Sequence, residues 1–473
     1  MTRDVTVYSA PLVIPVTAPA IVDGAVAVSG GRILHVGSRR WMMRTVTDEA
    51  GDGPRVVERR WDGIITPGLV NAHTHLQYTA MRQVGRGSYD RFRAWELAFN
   101  ALYARLSPTR PWRDSAFKGA DLLLAAGTTA AADVVTDIEA ADALHSHGIH
   151  GIAYWEVMGW HNDEWRSLGR RTLEESLAAM HALGVRNIGI SPHAPYTLGS
   201  APLTDLPDIA RRLGMRLHIH LAENPVEAGD DEGLLTTYAP EDWRTRSWTS
   251  FRDLHDHVGG ASAVQFLDRL GCLGPDVHIA HGVWANAEDR RILRQRGVGV
   301  ALCPRSNAIT VSGRPAPVAR YLEEGNLLAI GTDSLSSSPS LDVLDDAAML
   351  YDMAREQGYR RPDLCHRLIR MLTLGGAEVM GLGVGSARIG QINAGATADL
   401  AFFDIPVTHE GRIDVESALR TFITAGAGSN RATLLSGRLV YDHAFGTDAE
   451  RPGPDAAGPA DTGETSGEPG GGR

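Results

Sequence analysis

The sequence predicts an α/β protein, a (β/α)8 TIM barrel with a small composite β-sandwich domain built from both termini. Three observations predict it. Eight apolar, strand-like runs alternate with segments of helical period between residues 64 and 331. Short alternating β-rich runs stand near both ends of the chain. Histidines or a carboxylate close several of the eight runs, and the carboxyl ends of barrel strands are where such folds carry their chemistry.

The bulk numbers agree with one large elaborated barrel. The chain has 473 residues, 43% of them hydrophobic, and no apolar run near the ~18 residues a membrane span needs. Net charge is 46 − 57 = −11, spread without a basic block, so neither nucleic acid nor an anionic membrane surface is an expected partner. The N-terminal stretch lacks a small-residue cleavage site after a long apolar run, so no signal peptide is expected. Cys272, Cys303 and Cys365 are an odd number in a long chain, which points to a reducing compartment and a cytoplasmic protein. Neither a GxGxxG after a strand nor a P-loop is present, so nothing calls for a nucleotide cofactor.

In chain order, residues 1–65 form the first part of the small domain. Alternating runs at 24–28 and 32–36, separated by Gly30-Gly31, read as two antiparallel strands joined by a turn. Residues 66–385 form the barrel, led into by the first of the runs 64–69, 128–135, 151–157, 187–191, 217–221, 277–280, 298–302 and 327–331. Helical stretches such as 173–183 and 289–296 lie between the runs. Residues 386–450 return to β texture at 398–404 and 434–441 and complete the small domain. Residues 451–473, rich in Pro, Gly, Asp and Glu, are expected to be a disordered tail.

Four clusters carry the chemistry. His73-Thr74-His75 follows the first run, and residues i and i+2 of an extended segment point the same way, so two imidazoles can meet one cation. In Leu217-His-Ile-His-Leu-Ala-Glu223, His218 and His220 share a face. His220, nearer the carboxyl end, is the metal candidate, and His218 is expected to be a hydrogen-bonded core histidine. Glu223 stands just past the strand, over the pocket. His281 ends a third run and Asp333 a fourth, where a buried carboxylate is costly unless paired or metal-bound. Taken singly, each motif is as well explained by packing or a surface loop. All four at the strand ends of one barrel argue for one site. Three histidines and an aspartate suit Zn2+, and Fe2+ or Mn2+ as well.

Pro67-Gly-Leu-Val-Asn-Ala-His-Thr-His75, His220-Leu-Ala-Glu223, the His281 strand and Gly331-Thr-Asp333 resemble, in that order, the amidohydrolase superfamily. The likeness spans nearly the whole chain. It is similar in particular to the mononuclear aminohydrolases: guanine, adenosine, S-adenosylhomocysteine and aminodeoxyfutalosine deaminases, with the triazine hydrolases. Their hallmark HxxE on the fifth strand is here His220 to Glu223, and the fourth strand lacks the lysine of two-metal members. The resemblance implies one divalent metal on His73, His75, His220 and Asp333, and a homodimer or larger assembly. It also implies a metal-activated water whose proton Asp333 takes, His281 orienting that nucleophile, and Glu223 protonating the ring nitrogen beside the attacked carbon. The expected reaction is deamination of an aminated purine-like ring, most naturally an adenine nucleoside such as aminodeoxyfutalosine, S-adenosylhomocysteine or adenosine.

For the small-molecule substrate, His193 in Ser191-Pro-His-Ala-Pro-Tyr196 matches a fourth-strand histidine that contacts substrate in several such deaminases. Arg305, Ser306 and Asn307 after Cys303-Pro304 offer donors, and Arg82, Arg86 or Arg305 could pair with a substrate carboxylate. Trp95, Trp155, Trp160 and Trp284 are candidates for stacking on a flat ring, Trp95 and Trp284 being nearest the histidine motifs. The match departs from the aminodeoxyfutalosine pattern at Gln77, where Glu is expected, and at Asn224-Pro225. Amide (C–N) or chloro-triazine hydrolysis on the same metal site is the competing enzymatic reading, and a barrel that binds without catalysis is the non-enzymatic one.

Overall fold

The computed structural model describes residues 4–51, 53–228, 261–409 and 412–445. The expected tail at 451–473 lies outside the described residues.

Chain order runs first through β1 (Val5–Val13), β2 (Ile21–Ser29), β3 (Arg32–Ser38), β4 (Val56–Arg60) and β5 (Ile64–Pro67). Eight further strands follow: β6 (Leu69–Thr74), β7 (Thr128–Val135), β8 (His150–Val157), β9 (Ile188–Pro192), β10 (Leu217–Leu221), β11 (Val277–His281), β12 (Gly299–Leu302) and β13 (Leu328–Ile330). β14 (Leu400–Phe403), a short ladder of β15 (Thr408–His409) with β16 (Arg412–Ile413), β17 (Asn430–Leu435) and β18 (Arg438–Asp442) complete the set. Strands β6 to β13 are all parallel and pair in chain order, which is the barrel. Strands β1 to β5 join β14, β17 and β18 in the other large sheet, so the small domain does draw on both chain ends.

Two expected runs each divide in two. The run at 64–69 was to be the first barrel strand, yet Ile64–Pro67 pairs with β1 and β14 in the small sheet. The break falls at Gly68, where a Cβ would lie 2.0 Å from Thr129 Oγ1, so only glycine lets the chain pass this close to β7. The barrel's first strand is therefore Leu69–Thr74, and His73 sits inside it. The run at 434–441 likewise holds two strands, the end of β17 and most of β18, around a turn at Ser436-Gly437. A helix at Arg39–Ala50, unforeseen in a β-rich stretch, buries Met42 and Val46 against the small sheet.

Barrel strands are buried on both faces, which is why they read as unbroken apolar runs. All eight residues of β7 are buried. Small side chains fill one apolar cluster (Ala72, Ala130, Ala132, Ala301 and Ala329), packed with Ala377, Val379 and Met380 from beyond the last barrel strand. The larger cluster packs strand side chains such as Ile190, Ile219 and Ile279 against the surrounding helices. Among the described residues, no helix is long and apolar enough to cross a membrane.

The ring is stitched between its first and last strands by hydrogen bonds from the residues just beyond β13. Asp333 N–H donates to the His73 carbonyl at 2.9 Å. Asn71 accepts from Thr332 N at 3.1 Å and donates to Thr332 Oγ1 at 2.7 Å. Thr74 Oγ1 donates to the Asp333 carbonyl at 3.2 Å.

Gly151 tests the tightness of the strand packing. Its φ of +126° is hostile to L side chains, and a Cβ would lie 1.8 Å from the Ala131 carbonyl oxygen of the neighbouring strand. Gly151→Ala is expected to destabilise the fold by about 3 kcal/mol, combining backbone strain with overpacking. A thermal unfolding midpoint equal to that of the parent would contradict this account of β8.

Candidate active site

The histidines and carboxylates converge at the carboxyl mouth of the barrel. His73 ends toward the mouth on β6, where the register against β7 shifts between Asn71 and Thr74. His75 follows that strand, His220 lies on β10, and His281 is the last residue of β11. Donor atoms of His73, His75 and His220 lie within 4.8 Å of one another, as do those of His73, His281 and Asp333. Asp333 Oδ1 stands 3.6 Å from His73 Nε2 and 3.7 Å from His75 Nε2.

Backbone strain accompanies this convergence. Ala222, His281 and Asp333 all adopt positive φ, at 54°, 77° and 58°. Non-glycine residues pay roughly 1–3 kcal/mol for such conformations, which persist where surrounding structure holds them. Here the strain turns each chain sharply off its strand at the mouth.

Hydrogen bonds set which nitrogen of each ring is bare. His220 Nδ1 donates to the His193 carbonyl at 3.1 Å, so its Nε2 carries a lone pair. That Nε2 lies 3.3 Å from His75 Nε2, a close approach of two donor atoms that a cation between them would satisfy. His281 Nδ1 is 2.9 Å from Asn307 Oδ1, which accepts its proton and leaves Nε2 bare. The Nε2 atoms of His73 and His281 are buried and lack any hydrogen-bond partner. Burial, followed by the neighbouring imidazoles, holds His73 and His220 well below the usual histidine range. Burial takes His75 down to about 4, opposed by the Asp333 charge. Neutral rings with lone pairs directed together form a donor set that fits a divalent ion. Asp333 is held in turn, its Oδ2 accepting from Ser306 Oγ and its Oδ1 from Ser334 N, both at 2.7 Å.

Glu223 lies beyond β10 with its Oε1 3.7 Å from His281 Nε2. Burial raises its carboxyl above the usual range, against the opposing pull of His281. A cavity opens here, lined by His75, His193, His220, Glu223, His281 and Asp333 on its polar side. Phe92, Trp95, Phe99 and Met158 form the apolar wall. Trp95 is fixed by its indole N–H to the Ser336 carbonyl at 2.9 Å and by Phe92 and Phe99, 5.5 and 5.6 Å away.

Five expected substrate contacts are placed differently. Arg305 does not line the cavity: its guanidinium is tied to Asp346 at 2.7 Å, Asp345 at 2.9 Å and Ser340 Oγ at 2.8 Å. A buried guanidinium needs this many acceptors: both Nη groups are spent on them, and Nε, the one nitrogen without a partner, is buried away from the cavity lining. Ser306 instead holds Asp333. Arg82 is half-buried off the cavity lining, and Arg86 is exposed. Among the described residues, no Arg or Lys lines the cavity. Trp284 also stands apart, donating to the Ser312 carbonyl at 2.7 Å beneath the Arg314 guanidinium. All three cysteines are buried and free, and burial raises Cys303 well above the usual thiol range.

Sequence reasoning missed Glu156 and Glu227. Glu156 lines the cavity near the end of β8, with Oε1 3.9 Å from His220 Nδ1 and no hydrogen-bond partner. Burial pushes its carboxyl up to about 8. The signal was available, since Glu156 is a carboxylate near the end of an apolar run just as Asp333 is. Glu227 accepts the backbone N–H groups of Ala222 and Glu223 at 2.7 Å and of Asn224 at 3.3 Å, and so fixes the turn that presents Glu223.

The family model for the amidohydrolase family matches residues 64–440. This chain belongs to the amidohydrolase family. It is 30% identical over 446 residues to the 5-methylthioadenosine/S-adenosylhomocysteine deaminase of Moorella thermoacetica, covering 90% of this chain and 92% of that protein. Over 385 residues it is 27% identical to the 5'-deoxyadenosine deaminase of Methanosphaera stadtmanae, covering 80% and 82%. Its fold matches the crystal structure of a zinc-bound adenosine deaminase from Xanthomonas campestris, with a TM-score of 0.73, 23% identity and 94% of each chain covered. An amidohydrolase barrel thus frames the cluster just described.

Asp133 offers a pH test of how the histidine pair is anchored. Its Oδ1 accepts the N–H of Leu76, the residue after His75, at 2.8 Å, and burial pushes its carboxyl up to about 8. A folded-state value above the unfolded ~3.9 means the stabilisation is full below pH ~4 and lost as pH rises through about 8. Asp133→Asn keeps the acceptor for Leu76. Its unfolding free energy is expected to fall less steeply than the parent's between pH 5 and 8, by up to ~1.4 kcal/mol per pH unit. Identical slopes in denaturant titrations of the chelator-stripped proteins would refute this.

Proposed function

We propose that this amidohydrolase is a metal-dependent deaminase of an adenine nucleoside, replacing the exocyclic amine of the ring with oxygen and releasing ammonia. The observation that carries the reading is Glu223, a buried carboxyl of raised pKa beside His281 on the wall of the cavity that the metal-type donor set opens into. The names of the two relatives, both deaminases of adenine nucleosides, support the same substrate class.

His73, His75, His220 and Asp333 would hold the ion, and three imidazoles with one carboxylate favour Zn2+. Bound there, a divalent ion supplies a Lewis acid that brings the pKa of a water down toward neutrality. The remaining steps belong to side chains. Glu223, whose carboxyl burial biases toward the protonated form, donates its proton to the ring nitrogen next to the amine-bearing carbon, which makes that carbon electrophilic. His281, bare at Nε2, accepts a hydrogen bond from the attacking water and orients it. Asp333 takes the proton the water loses and delivers it to the amine, so the C–N bond breaks with ammonia leaving rather than an amide anion. The enol-type ring left behind returns its proton from nitrogen through Glu223, which closes the cycle.

The walls define the substrate. Trp95 and Phe99 offer faces for a flat heteroaromatic ring. His193, held neutral by burial at about 3 and anchored through Nδ1 near Thr197 Oγ1 at 3.1 Å, faces the cavity as a substrate contact.

Zinc-loaded protein is expected to release ammonia from one or more of 5'-deoxyadenosine, methylthioadenosine, S-adenosylhomocysteine, adenosine and aminodeoxyfutalosine. Glu223→Gln should retain the metal and lose about 10²- to 10⁴-fold in kcat. His220→Ala should lose the metal itself, read by elemental analysis. Halide or amide-derived product without ammonia, on a chlorinated triazine or a cyclic amide, would replace deamination by the competing hydrolysis.

A further inference from the structure

We propose that His218 is a positioning residue that fixes the ring tautomer of His73 and so directs the His73 lone pair into the metal site. The inference rests on the metal site proposed above and concerns a residue outside its ligand set.

His218 is fully buried on β10, two residues before His220, with no access to the cavity. Its Nε2 lies 2.7 Å from His73 Nδ1, and its Nδ1 lies 3.2 Å from the His278 carbonyl oxygen. A carbonyl can only accept, so Nδ1 of His218 carries the hydrogen. In the neutral ring, Nε2 is then the acceptor. His73 must therefore donate from Nδ1, and its Nε2, buried and without a hydrogen-bond partner 3.6 Å from Asp333 Oδ1, is left as a lone pair. The direction of each bond follows from the one before it, starting from a backbone oxygen.

The neighbouring strand holds the relay in place. His218 and His278 stand opposite each other in the parallel register of β10 and β11, and their rings stack at 4.1 Å with planes 17° apart. His278 is anchored by its own Nε2–H to the Ala72 carbonyl at 3.2 Å, one residue before His73. The ring of His218 is thus held by a bond and a stack, and cannot turn away without breaking both. Residues that orient metal-ligating histidines typically change metal affinity by about 10- to 100-fold when removed.

The test compares His218→Phe, which fills the space without an acceptor, with His218→Gln, whose Oε1 can take the bond from His73. Zinc release to a colorimetric chelator is followed on full-length, zinc-loaded protein, with circular dichroism as the check on folding. His218→Phe should bind zinc about 10- to 100-fold more weakly, with His218→Gln restoring most of the loss. Parent-like affinity in His218→Phe, or equal losses in both variants, would overturn the proposal. Should His218→Phe fail to fold, long-range ¹H–¹⁵N correlation on the zinc-loaded parent with ¹⁵N-histidine decides the matter. His218 protonated at Nδ1 and His73 protonated at Nδ1 support the relay, and either ring protonated at Nε2 overturns it. A parent that takes up no zinc would instead fault the metal site itself, a result distinct from any difference between the variants.

Discussion

Closure of the barrel between its first and last strands is the constraint on which everything else depends. Strands β6 and β13 meet through the stitch of Asn71 to Thr332 and of His73 to Asp333, so the bond that closes the ring runs between two members of the donor set. The geometry of the site is thereby a property of the backbone ring, and the side chains inherit it. This explains why Asp333 can hold a positive φ, since its N–H and carbonyl are both engaged across the seam. It also explains the clustering of neutral imidazoles, which would otherwise be an expensive way to fill a core.

Much of this was legible in the sequence because barrel chemistry follows position along a strand. An apolar run that stops at a histidine or an aspartate gives both the element and its mouth end, and His73, His75, His220, His281 and Asp333 were each found in that way. What escaped depends on which strands are neighbours. His218 reads as a core histidine on alternation alone, and only the in-register approach of His278 and the nearby His73 gives it a role. Arg305 reads as a ligand donor because its three carboxylate and hydroxyl partners lie 35 to 41 positions away. The misplaced first strand has a local cause: Ile64 to Leu69 reads as one run only if Pro67-Gly68 is passed over, and the close approach of Thr129 at Gly68 divides it between two sheets.

The cavity combines two demands that conflict in water. Lone-pair donors must be neutral and crowded together, whereas an acid must hold its proton more tightly than a free carboxyl does. One physical device serves both, since burial lowers the pKa of the imidazoles and raises that of Glu223. Opposite shifts from a single environment separate donors from acid without any change of solvent access. Glu156 and Glu227 experience the same environment, and Glu227 spends its oxygens on the turn that carries Glu223.

The seam has a consequence for how the protein matures. Asn71 and Thr332 are 261 residues apart, so during synthesis the donors on β6 wait for almost the whole barrel before their partner from beyond β13 emerges. No partial ring brings Asp333 to the histidines of β6 and β10. On the proposed ligand set, an ion present at 100 times its dissociation constant would add ~2.7 kcal/mol to the closed form.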